Sequence, residues 1–506
     1  METENENSIE RSRIIATAEA LGGLADDSHT FTQKTVLLTG ESAVLATPNG
    51  RECFLSSFRL LLRMVEHLTV CVPSGPLLDA VSREANRIAY RTKPTIEIAG
   101  VAEPAGFDAV LCIGAAGRAD LPQTVVNSNG WLARVSSLGR SIPSDCSQTN
   151  PIGALGAACL GVAEVFKRLI ALRPERGELN PGMSFSFYDY RESEDPGPEL
   201  PREIAIDAAL FGVGAIGNGI VYLLSVLPVI GNLVAVDRQV FQVENWGTCF
   251  AIGPRELGMA KAEWASGVLR SRLTTGWLRG SVEDYAAKCG KALPFPRLVL
   301  NGLDNIPARR AVQGLWPDQI IDGAIGPTLC EVTLHPWDGD FSCLRCDFEE
   351  TTIDALEIQI RSTGLHAARI AEPSAVVGTA DIDGAPADRR EWLRSRHGKP
   401  ICSVVSEGVL AALSAESQTE GFEPSAPFVA CLSACMVVGE MVRHCAGWRP
   451  VLETGFQFDS LVGPQNGLFK AHMRKADCEC VSRRKNIELV RALRLPKDGG
   501  ILSFQR

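Results

Sequence analysis

The stretch AIDAALFGVGAIG (205–217) decides the fold of this chain. Its first seven residues are mostly apolar and predict a buried strand. The glycines that follow, Gly212, Gly214 and Gly217, predict a tight turn into an apolar helix, whose backbone N–H groups would face a phosphate. Asp237 ends the next predicted strand, where a carboxylate can hold ribose hydroxyls. The stretch therefore predicts a Rossmann-like nucleotide site in an α/β fold, and by itself it fits a nicotinamide-dependent dehydrogenase equally well.

Similar strand and helix patterns lie on both sides of this stretch. Buried strands with helical segments between them are predicted at 34–40, 68–72, 108–114, 232–237 and 297–305. Strands that alternate with helices predict parallel sheets built from right-handed crossover units. The charged, proline-rich segment 191–203 predicts the boundary between two halves.

The two halves share an internal repeat. PIGALGAACLGVAEVFK (151–167) aligns with PFVACLSACMVVGEMVR (427–443) on their prolines, and matching residues recur at one constant offset. The matching pairs are Ala154/Ala430, Ala158/Ala434, Cys159/Cys435, Val162/Val438, Glu164/Glu440 and Lys167/Arg443. The repeat predicts that an equivalent helix closes each half.

The bulk composition limits the possible functions. A chain of 506 residues exceeds one ordinary core, and a net charge of −10 argues against nucleic acid and acidic membranes as partners. Residues 208–236 carry no charge and could span a bilayer, but their glycines and Pro228 favour a strand, turn, helix and strand. Sixteen cysteines behind a polar N-terminus predict reduced thiols, metal ligands or a nucleophile in the cytoplasm.

The residues that follow the glycine turn resemble the ubiquitin-activating (ThiF/MoeB/HesA-like) superfamily of ATP-dependent adenylating enzymes. The segment 236–266 carries an aspartate, an asparagine, a glycine and a lysine in family spacing, and NGLDNIPARR (301–310) resembles the next family motif. IDGAIGP (321–327) and FSCLRCDF (341–348) resemble its glycine-rich strand and first metal-binding cysteine pair. The matching residues are Asp237, Asn245, Gly258, Lys261, Asp304, Asn305 and Arg309.

The resemblance implies two Rossmann-like, ThiF-type adenylation folds in one chain. Residues 1–195 would form an inactive adenylation-like domain, because they lack the glycine turn and an aspartate equivalent to Asp304. Residues 196–350 would form the active adenylation domain, and 351–426 a crossover segment with a candidate catalytic cysteine. Residues 427–506 would supply the closing helix and a tail with the second zinc-binding cysteine pair.

The resemblance also implies the nucleotide contacts. ATP and Mg²⁺ would be held by Gly212, Gly214, Gly217, Asp237, Asn245, Lys261 and Asp304. Adenylation brings an anionic nucleophile to the α-phosphate, so Lys261 would neutralise phosphate charge and Asp304 would hold magnesium.

This chain departs from the family pattern at two of its positions. Gln239 stands where the family has a second acid, and Thr248 where it has an arginine. Arg11 or Arg13 resembles the N-terminal arginine that the inactive half of this family contributes.

Cysteines predict a metal site and a nucleophile. Cys343 and Cys346 match the family pair, and with Cys478 and Cys480 they would form a structural Zn²⁺ site. The alternative is that the four cysteines form two separate structural pairs. Cys402 is the only cysteine between 351 and 426. Its basic neighbours Arg396, His397 and Lys399 favour a reactive thiolate, whereas apolar Ile401 and Val404 favour an ordinary core residue.

The predicted function is ATP-dependent adenylation of the C-terminus of a ubiquitin-like protein, thioester formation on Cys402, and transfer to a conjugating enzyme. The compact, two-half organisation resembles bacterial ubiquitin-like conjugation systems of antiphage operons, and a homodimer is left open. Three alternatives remain: a sulfur-carrier or peptide adenylating enzyme without thioester transfer, an NAD-dependent oxidoreductase, and a scaffold with a degenerate site.

Overall fold

The computed structural model describes residues 9–21, 24–98, 105–174, 176–348, 355–372, 375–401, 403–405, 407–408 and 425–495. The chain forms two compact units, one of Met1–Phe348 with Pro424–Arg506 and the other of Glu349–Glu423. The larger unit contains two eight-stranded sheets.

The first sheet has the strand order β3-β2-β1-β4-β5-β6-β7-β8. Its strands are β1 Thr35–Gly40, β2 His67–Val72, β3 Thr95–Ile98, β4 Ala109–Ile113, β5 Gln123–Asn129, β6 Leu132–Ser136, β7 Met183–Ser186 and β8 Arg191–Glu192. The second sheet repeats this order as β11-β10-β9-β12-β13-β14-β15-β16. Its strands are β9 Ile204–Phe211, β10 Val229–Val236, β11 Thr274–Leu278, β12 Leu298–Asn301, β13 Gln319–Ile325, β14 Leu329–Pro336, β15 Gly455–Asp459 and β16 Leu468–Lys470. The identical order in both halves confirms the predicted duplication.

Helices connect and cover these strands. In chain order they are α1 Ser12–Ala20, α2 Ser42–Leu45, α3 Pro48–Met64, α4 Pro76–Ile88, α5 Pro151–Leu169, α6 Ala215–Val226, α7 Val243–Trp246, α8 Lys261–Leu269, α9 Val282–Lys288, α10 Ile306–Gln313, α11 Leu344–Asp347, α12 Ala355–Thr363, α13 Ala367–Ile370, α14 Thr379–Gly384, α15 Ala387–Arg394, α16 Pro427–Cys445, α17 Glu479–Ser482 and α18 Arg484–Arg494. Short 3₁₀ turns lie at Ile9–Arg11, Phe31–Gln33, Pro254–Glu256 and Pro464–Asn466.

The prediction of parallel sheets is right for the first five strands of each half and wrong for the last three. Strands β1 to β5 and β9 to β13 pair in parallel, whereas β6 to β8 and β14 to β16 pair antiparallel. The change of direction follows from a tight turn. Asn129 and Leu132 are register partners joined by only two residues, and the first of these, Gly130, has a φ of +58°. Such a turn joins antiparallel neighbours, while a parallel pair needs a long crossover.

The predicted closing helices are α5 and α16, and both are 19 residues long and begin at the aligned prolines. Nearly every residue of both helices is buried, and the two helices contact each other as well as their sheets. Small residues permit this close approach: Gly156 of α5 lies so close to the Phe187 ring that a Cβ there would overlap it.

Each closing helix carries a buried ion pair at the repeated positions. Glu164 pairs with Lys167, and Glu440 pairs with Arg443 at 3.5 Å. Both cations also reach across to the other half, since Lys167 Nζ donates to the Leu461 carbonyl at 3.2 Å and Arg443 donates to the Tyr188 carbonyl. Burial raises the pKa of Glu440, and Arg443 opposes this effect. The repeated Glu and Lys or Arg positions therefore join the two halves.

One described helix, α16, is long and apolar enough to cross a membrane by length and composition, and 89% of its apolar window is buried inside the protein. The uncharged segment 208–236 is not one helix. It forms strand β9, helix α6 and strand β10, as its glycines predicted.

The smaller unit has a core of its own. Its buried apolar residues are Leu365, Val377, Ile382, Ala385, Leu393, Ile401 and Val404. An ion pair between Arg369 Nε and Asp381 at 2.7 Å links two of its helices.

We expect Arg443→Met to destabilise the protein by about 3–5 kcal/mol, because it leaves the Glu440 carboxylate buried without its cation. Urea unfolding measures the change in the free energy of unfolding. Arg118→Met, which breaks an ion pair with Asp120 on the surface, is the control and should leave the unfolding midpoint unchanged. A loss below 1 kcal/mol in Arg443→Met would show that this buried pair does not hold the halves together.

Candidate functional site

The three glycines of the turn after β9 occupy three different environments. Gly212 has a φ of +81°, and a Cβ there would lie 2.9 Å from the Gly302 backbone. A Cβ on Gly217 would overlap the Gly212 carbonyl oxygen, whereas Gly214 has open space on its Cβ side with no atom within 4 Å. In a dinucleotide-binding turn one glycine makes the turn, one lets the backbone approach a phosphate, and one allows close packing. The geometry therefore fits a phosphate turn with Gly214 at the open position.

Asp237 connects the glycine turn to the end of the next strand. Its Oδ2 accepts a hydrogen bond from the Val213 N–H at 2.7 Å, and its Oδ1 accepts one from the Gln239 N–H at 2.8 Å. Each carboxylate oxygen can accept a further hydrogen bond. Asp237 thus fixes the turn beside β10, and its predicted contact with a ribose stays a prediction.

Lys261 begins α8 and is the buried cation of this edge. Its side chain is only 3% exposed, and its Nζ donates to Gln239 Oε1 at 2.7 Å and lies 5.9 Å from the centre of the Phe241 ring. Within the described residues no carboxylate lies within ion-pair distance of Nζ. A buried charge is normally paired, so this ammonium has the properties of an anion-binding group. Gln239, which stands where the family has a second acid, is its neutral partner.

Asp304 follows β12 at the same sheet edge as the glycine turn. Its side chain is exposed, and its Oδ1 accepts a hydrogen bond from Asn305 Nδ2 at 3.3 Å. Asn305 itself caps α10 by accepting from the Ala308 N–H at 2.9 Å. Because β9 and β12 are neighbours in the sheet, the Asp304 carboxylate and the turn lie at adjacent strand ends. An exposed carboxylate at this place fits a magnesium ligand.

Arg309, the third residue of that motif, has a structural role. It is 6% exposed and donates to Asp322 Oδ2 and to the Leu303 carbonyl, both at 2.8 Å. Burial raises the pKa of Asp322, and Arg309 opposes this effect. The pair therefore fixes the segment before Asp304 and does not face the glycine turn.

Asn245 and Thr248 are internal parts of the loop after β10. The side-chain oxygen of Asn245 accepts a hydrogen bond from the Gln242 N–H at 3.0 Å and caps α7. Thr248 is 3% exposed, and its hydroxyl donates to the Asn245 carbonyl at 3.4 Å. Neither side chain supplies the positive charge that the family places at position 248.

The two candidate arginines of the N-terminus have different surroundings. Arg11 is buried and donates to the carbonyls of Leu62 and Val65, each at 3.2 Å, so it anchors the N-terminal segment to the first half. Arg13 is half-buried. Burial raises the pKa of the Cys249 thiol, and the charges of Lys261 and, more weakly, Arg13 oppose this effect. Arg11 also lies 5.6 Å from the centre of the Trp246 ring, so both arginines are near the loop that precedes Lys261.

Two arginines of the first half hold this loop, and neither belongs to a motif that could have identified it in the sequence. Arg63 donates to the carbonyls of Trp246 at 2.9 Å and Ile252 at 2.6 Å. Arg87 donates to the Ala251 carbonyl at 2.9 Å. The loop between Asn245 and Lys261 therefore takes its conformation from the first half.

The corresponding edge of the first sheet is filled by a side chain. Glu41 follows β1 at the position that Gly212 has after β9, and its Oε1 accepts from the N–H groups of Ala115 at 2.9 Å and Ala116 at 2.7 Å. Ala116 lies three residues after Ile113, the last residue of β4, and Asp304 lies three residues after Asn301, the last residue of β12, so the two positions correspond in the two sheets. A carboxylate thus occupies the edge where the second half has an open glycine turn.

The four predicted zinc ligands come together. The Sγ atoms of Cys343, Cys346, Cys478 and Cys480 all lie within 4.8 Å of one another. The Sγ separations are 3.7 Å for Cys343–Cys346, 3.7 Å for Cys343–Cys478 and 3.5 Å for Cys346–Cys480. A tetrahedral zinc site with Zn–S bonds of about 2.3 Å has S–S edges of about 3.8 Å, so this donor set fits Zn²⁺. The cluster joins β14 and α11 to the tail through Cys478 and Cys480.

Cys402, the candidate nucleophile, lies outside the described residues. Its described neighbours Ile401 and Val404 are fully buried. Arg396 Nε and Lys399 Nζ each pair with Glu407 at 2.9 Å. The basic residues that favoured a thiolate at position 402 are therefore partly neutralised by one carboxylate.

A curated relative and several crystal structures are similar to this chain. No protein-family model matches the chain. "Uncharacterized protein y4jF" of Sinorhizobium fredii (strain NBRC 101917 / NGR234) is 27% identical over 460 residues, which cover 84% of each chain. The crystal structure of E. coli MccB with MccA-N7isoASN is similar to this chain at 12% sequence identity and a TM-score of 0.35. The crystal structure of E. coli MccB with ATP is similar at 11% identity and a TM-score of 0.35. Each match covers 55% of this chain and 67% of MccB, and a likeness this slight carries no inference about function.

The glycine turn gives a matched pair of substitutions. Gly214→Ala should keep the melting temperature and weaken ATP binding by at least about tenfold, because its methyl group enters the space open to a phosphate. Gly217→Ala should lower both stability and binding, since its Cβ overlaps the Gly212 carbonyl. Isothermal titration with ATP and a thermal melt of each variant measure the two effects. Unchanged ATP affinity in a folded Gly214→Ala variant would exclude this turn as the phosphate site.

We expect one tightly bound zinc ion per chain, and less than one tenth of it in Cys480→Ser. Metal analysis by mass spectrometry after gel filtration gives the ratio. The control is Cys445→Ser, since Cys445 is partly exposed and is not one of the four clustered cysteines. Full-length protein that is folded and contains no zinc would contradict the metal site and leave two separate cysteine pairs.

Proposed function

We propose that this chain is an ATP-dependent adenylating enzyme of the ThiF/MoeB type that activates the C-terminal carboxylate of a ubiquitin-like protein. The observation that carries the proposal is the buried ammonium of Lys261, which among the described residues is hydrogen-bonded to the neutral amide of Gln239 and lies near no carboxylate. A hydrogen-bonded series connects this ammonium, through Gln239 and Asp237, to the glycine turn at Val213. Cation and turn thus belong to one site, and its chemistry suits a polyphosphate.

The proposed roles follow from these positions. The N–H groups of the turn at Gly214 receive phosphate oxygens, and Lys261 neutralises the charge that develops when a carboxylate attacks the α-phosphate. Asp304 would hold magnesium, which would neutralise negative charge on the polyphosphate. One oxygen–phosphorus bond forms to the carboxylate as the bond to pyrophosphate breaks, which leaves an acyl adenylate. Asp237 keeps the turn in place throughout.

In this proposal the first half binds no nucleotide itself and instead positions parts of the nucleotide site of the second half. Glu41 already occupies the amides of Ala115 and Ala116, which supports the proposal that this half is the degenerate partner. Its arginines Arg63 and Arg87 position the loop that leads to Lys261, and Arg13 is the proposed source of the arginine missing at Thr248.

The second proposed step is thioester formation. The Cys402 thiolate attacks the acyl adenylate, AMP leaves, and the acyl group then passes to a conjugating enzyme. None of the fifteen described cysteines forms a disulfide, which suits a reducing compartment, and the proposed location is the cytoplasm.

A second candidate function keeps adenylation and omits the thioester. The pairing of Arg396 and Lys399 with Glu407 favours it, because it weakens the positive surroundings that would lower the pKa of a thiol at position 402. In that case the chain would activate a sulfur carrier or a peptide.

The test combines the protein with ATP, magnesium and a ubiquitin-like protein of proven competence, and reads pyrophosphate release for adenylation and a reductant-sensitive adduct on non-reducing gels for the thioester. Asp304→Ala should lower pyrophosphate release by about 100-fold. Cys402→Ala should abolish the adduct and retain adenylation. Asp120→Ala, a surface substitution in the first half, is the control.

Each outcome separates two functions. Pyrophosphate release without an adduct in the wild type supports the sulfur-carrier or peptide activator. Neither product, with the same partner, contradicts the adenylation proposal and leaves the degenerate scaffold.

A further inference from the structure

The last described helix, α18, is amphipathic, but its basic side faces the protein and its apolar side faces outward, the reverse of an ordinary surface helix. Its arginines face the protein. The guanidinium carbon of Arg484 lies 4.4 Å from the centre of the Trp337 ring. Arg491 donates to the Pro317 carbonyl and to Asp318, each at 2.6 Å, and Arg494 donates to the Gly314 carbonyl at 3.2 Å. Ile487 is buried on the same side. These contacts hold the helix against the body next to the cysteine cluster.

The apolar residues of α18 face outward. Leu489 is 68% exposed, Val490 37% and Leu493 86%, and these three residues are called the Leu489 face. A surface helix normally turns its apolar stripe toward the core. Their spacing of three and four residues is that of the anchors which a helix presents to a groove of another protein. A fixed helix with outward leucines therefore has the form of a docking element.

The charge around this face indicates what would cover it. Residues 483–494 contain five basic side chains and one acidic one, and three of the basic ones, Arg484, Arg491 and Arg494, contact the protein body. Arg483 and Lys485 are exposed and have no ion-pair partner within the described part of the chain, and Glu488 pairs with Arg484 at 3.1 Å. The complement of this surface is an apolar groove bordered by carboxylates.

We propose that the Leu489 face docks into an apolar, acid-rimmed groove of a different protein. A second copy of this chain fits less well, because a two-fold contact would bring together two copies of the same patch, each with Arg483 and Lys485, in place of a carboxylate rim. A membrane also fits less well. A helix lying on a bilayer keeps its basic side chains beside its apolar face at headgroup level, whereas Arg491 and Arg494 bind the protein. The proposal is independent of the proposed catalytic function.

The experiment places a photo-crosslinking amino acid at position 489 of the full-length protein in the cells that naturally make it. The matched control is position 138, a leucine of the first half that is 54% exposed. The expected result is one crosslinked protein at position 489, absent at 138, with a contact peptide that contains apolar residues and Asp or Glu. Arg483→Glu with Lys485→Glu should reduce that crosslink at least tenfold at unchanged melting temperature.

The binding is then measured with the purified partner. Leu489→Ala with Leu493→Ala should raise Kd at least tenfold, while zinc content and melting temperature stay as in the wild type, since both side chains point away from the core. Crosslinks to residues 496–506 of the same chain, to a second copy or to lipid would overturn the proposal. So would no crosslink above the control, or a crosslink that charge reversal does not change.

Discussion

The packing of α5 against α16 is the constraint on which the rest of the larger unit depends. Both helices are buried along nearly their whole length, so each half would expose a large apolar surface without the other. The buried cations Lys167 and Arg443 reinforce this arrangement, because each donates to a carbonyl of the opposite half. Two sheets of identical strand order thus share one core and cannot be regarded as two independent domains.

A shared core lets the two halves diverge in chemistry while they keep one architecture. The second half has an open turn at Gly214 and an exposed acid at Asp304, whereas the first half fills the corresponding edge with Glu41. The first half retains an effect on the site through Arg63 and Arg87, which hold carbonyls of the loop before Lys261. In the proposed function the second half binds the nucleotide, and the first half positions the loop that leads to Lys261.

The sequence was sufficient for the features with a local or periodic signature. The glycine turn, the strands from 205 to 305 and the repeated closing helix could be predicted from spacing and periodicity. The convergence of the four cysteines was predicted from the family resemblance of the first pair, with two separate pairs as the alternative. The antiparallel strands β6 to β8 were missed because a two-residue turn at Gly130 has a weaker signal than an α/β alternation. The roles of Arg63, Arg87 and Glu41 could not be predicted, because their partners lie up to 189 residues away and are backbone groups. Arg309 matched a motif, yet its contact with Asp322 is structural.

The position of Gln239 explains how a departure from the family pattern can be compatible with the same chemistry. A carboxylate at that place would pair with the buried Lys261 and satisfy its charge, and an incoming phosphate would then compete with an internal anion. The neutral amide accepts one hydrogen bond and, within the part of the chain that the structure describes, leaves the ammonium without a carboxylate partner. The same replacement removes one negative charge from an edge that already contains Asp237 and Asp304. A single substitution therefore makes the edge more favourable for a polyphosphate, and the burial of Lys261 strengthens that preference by excluding water from the charge.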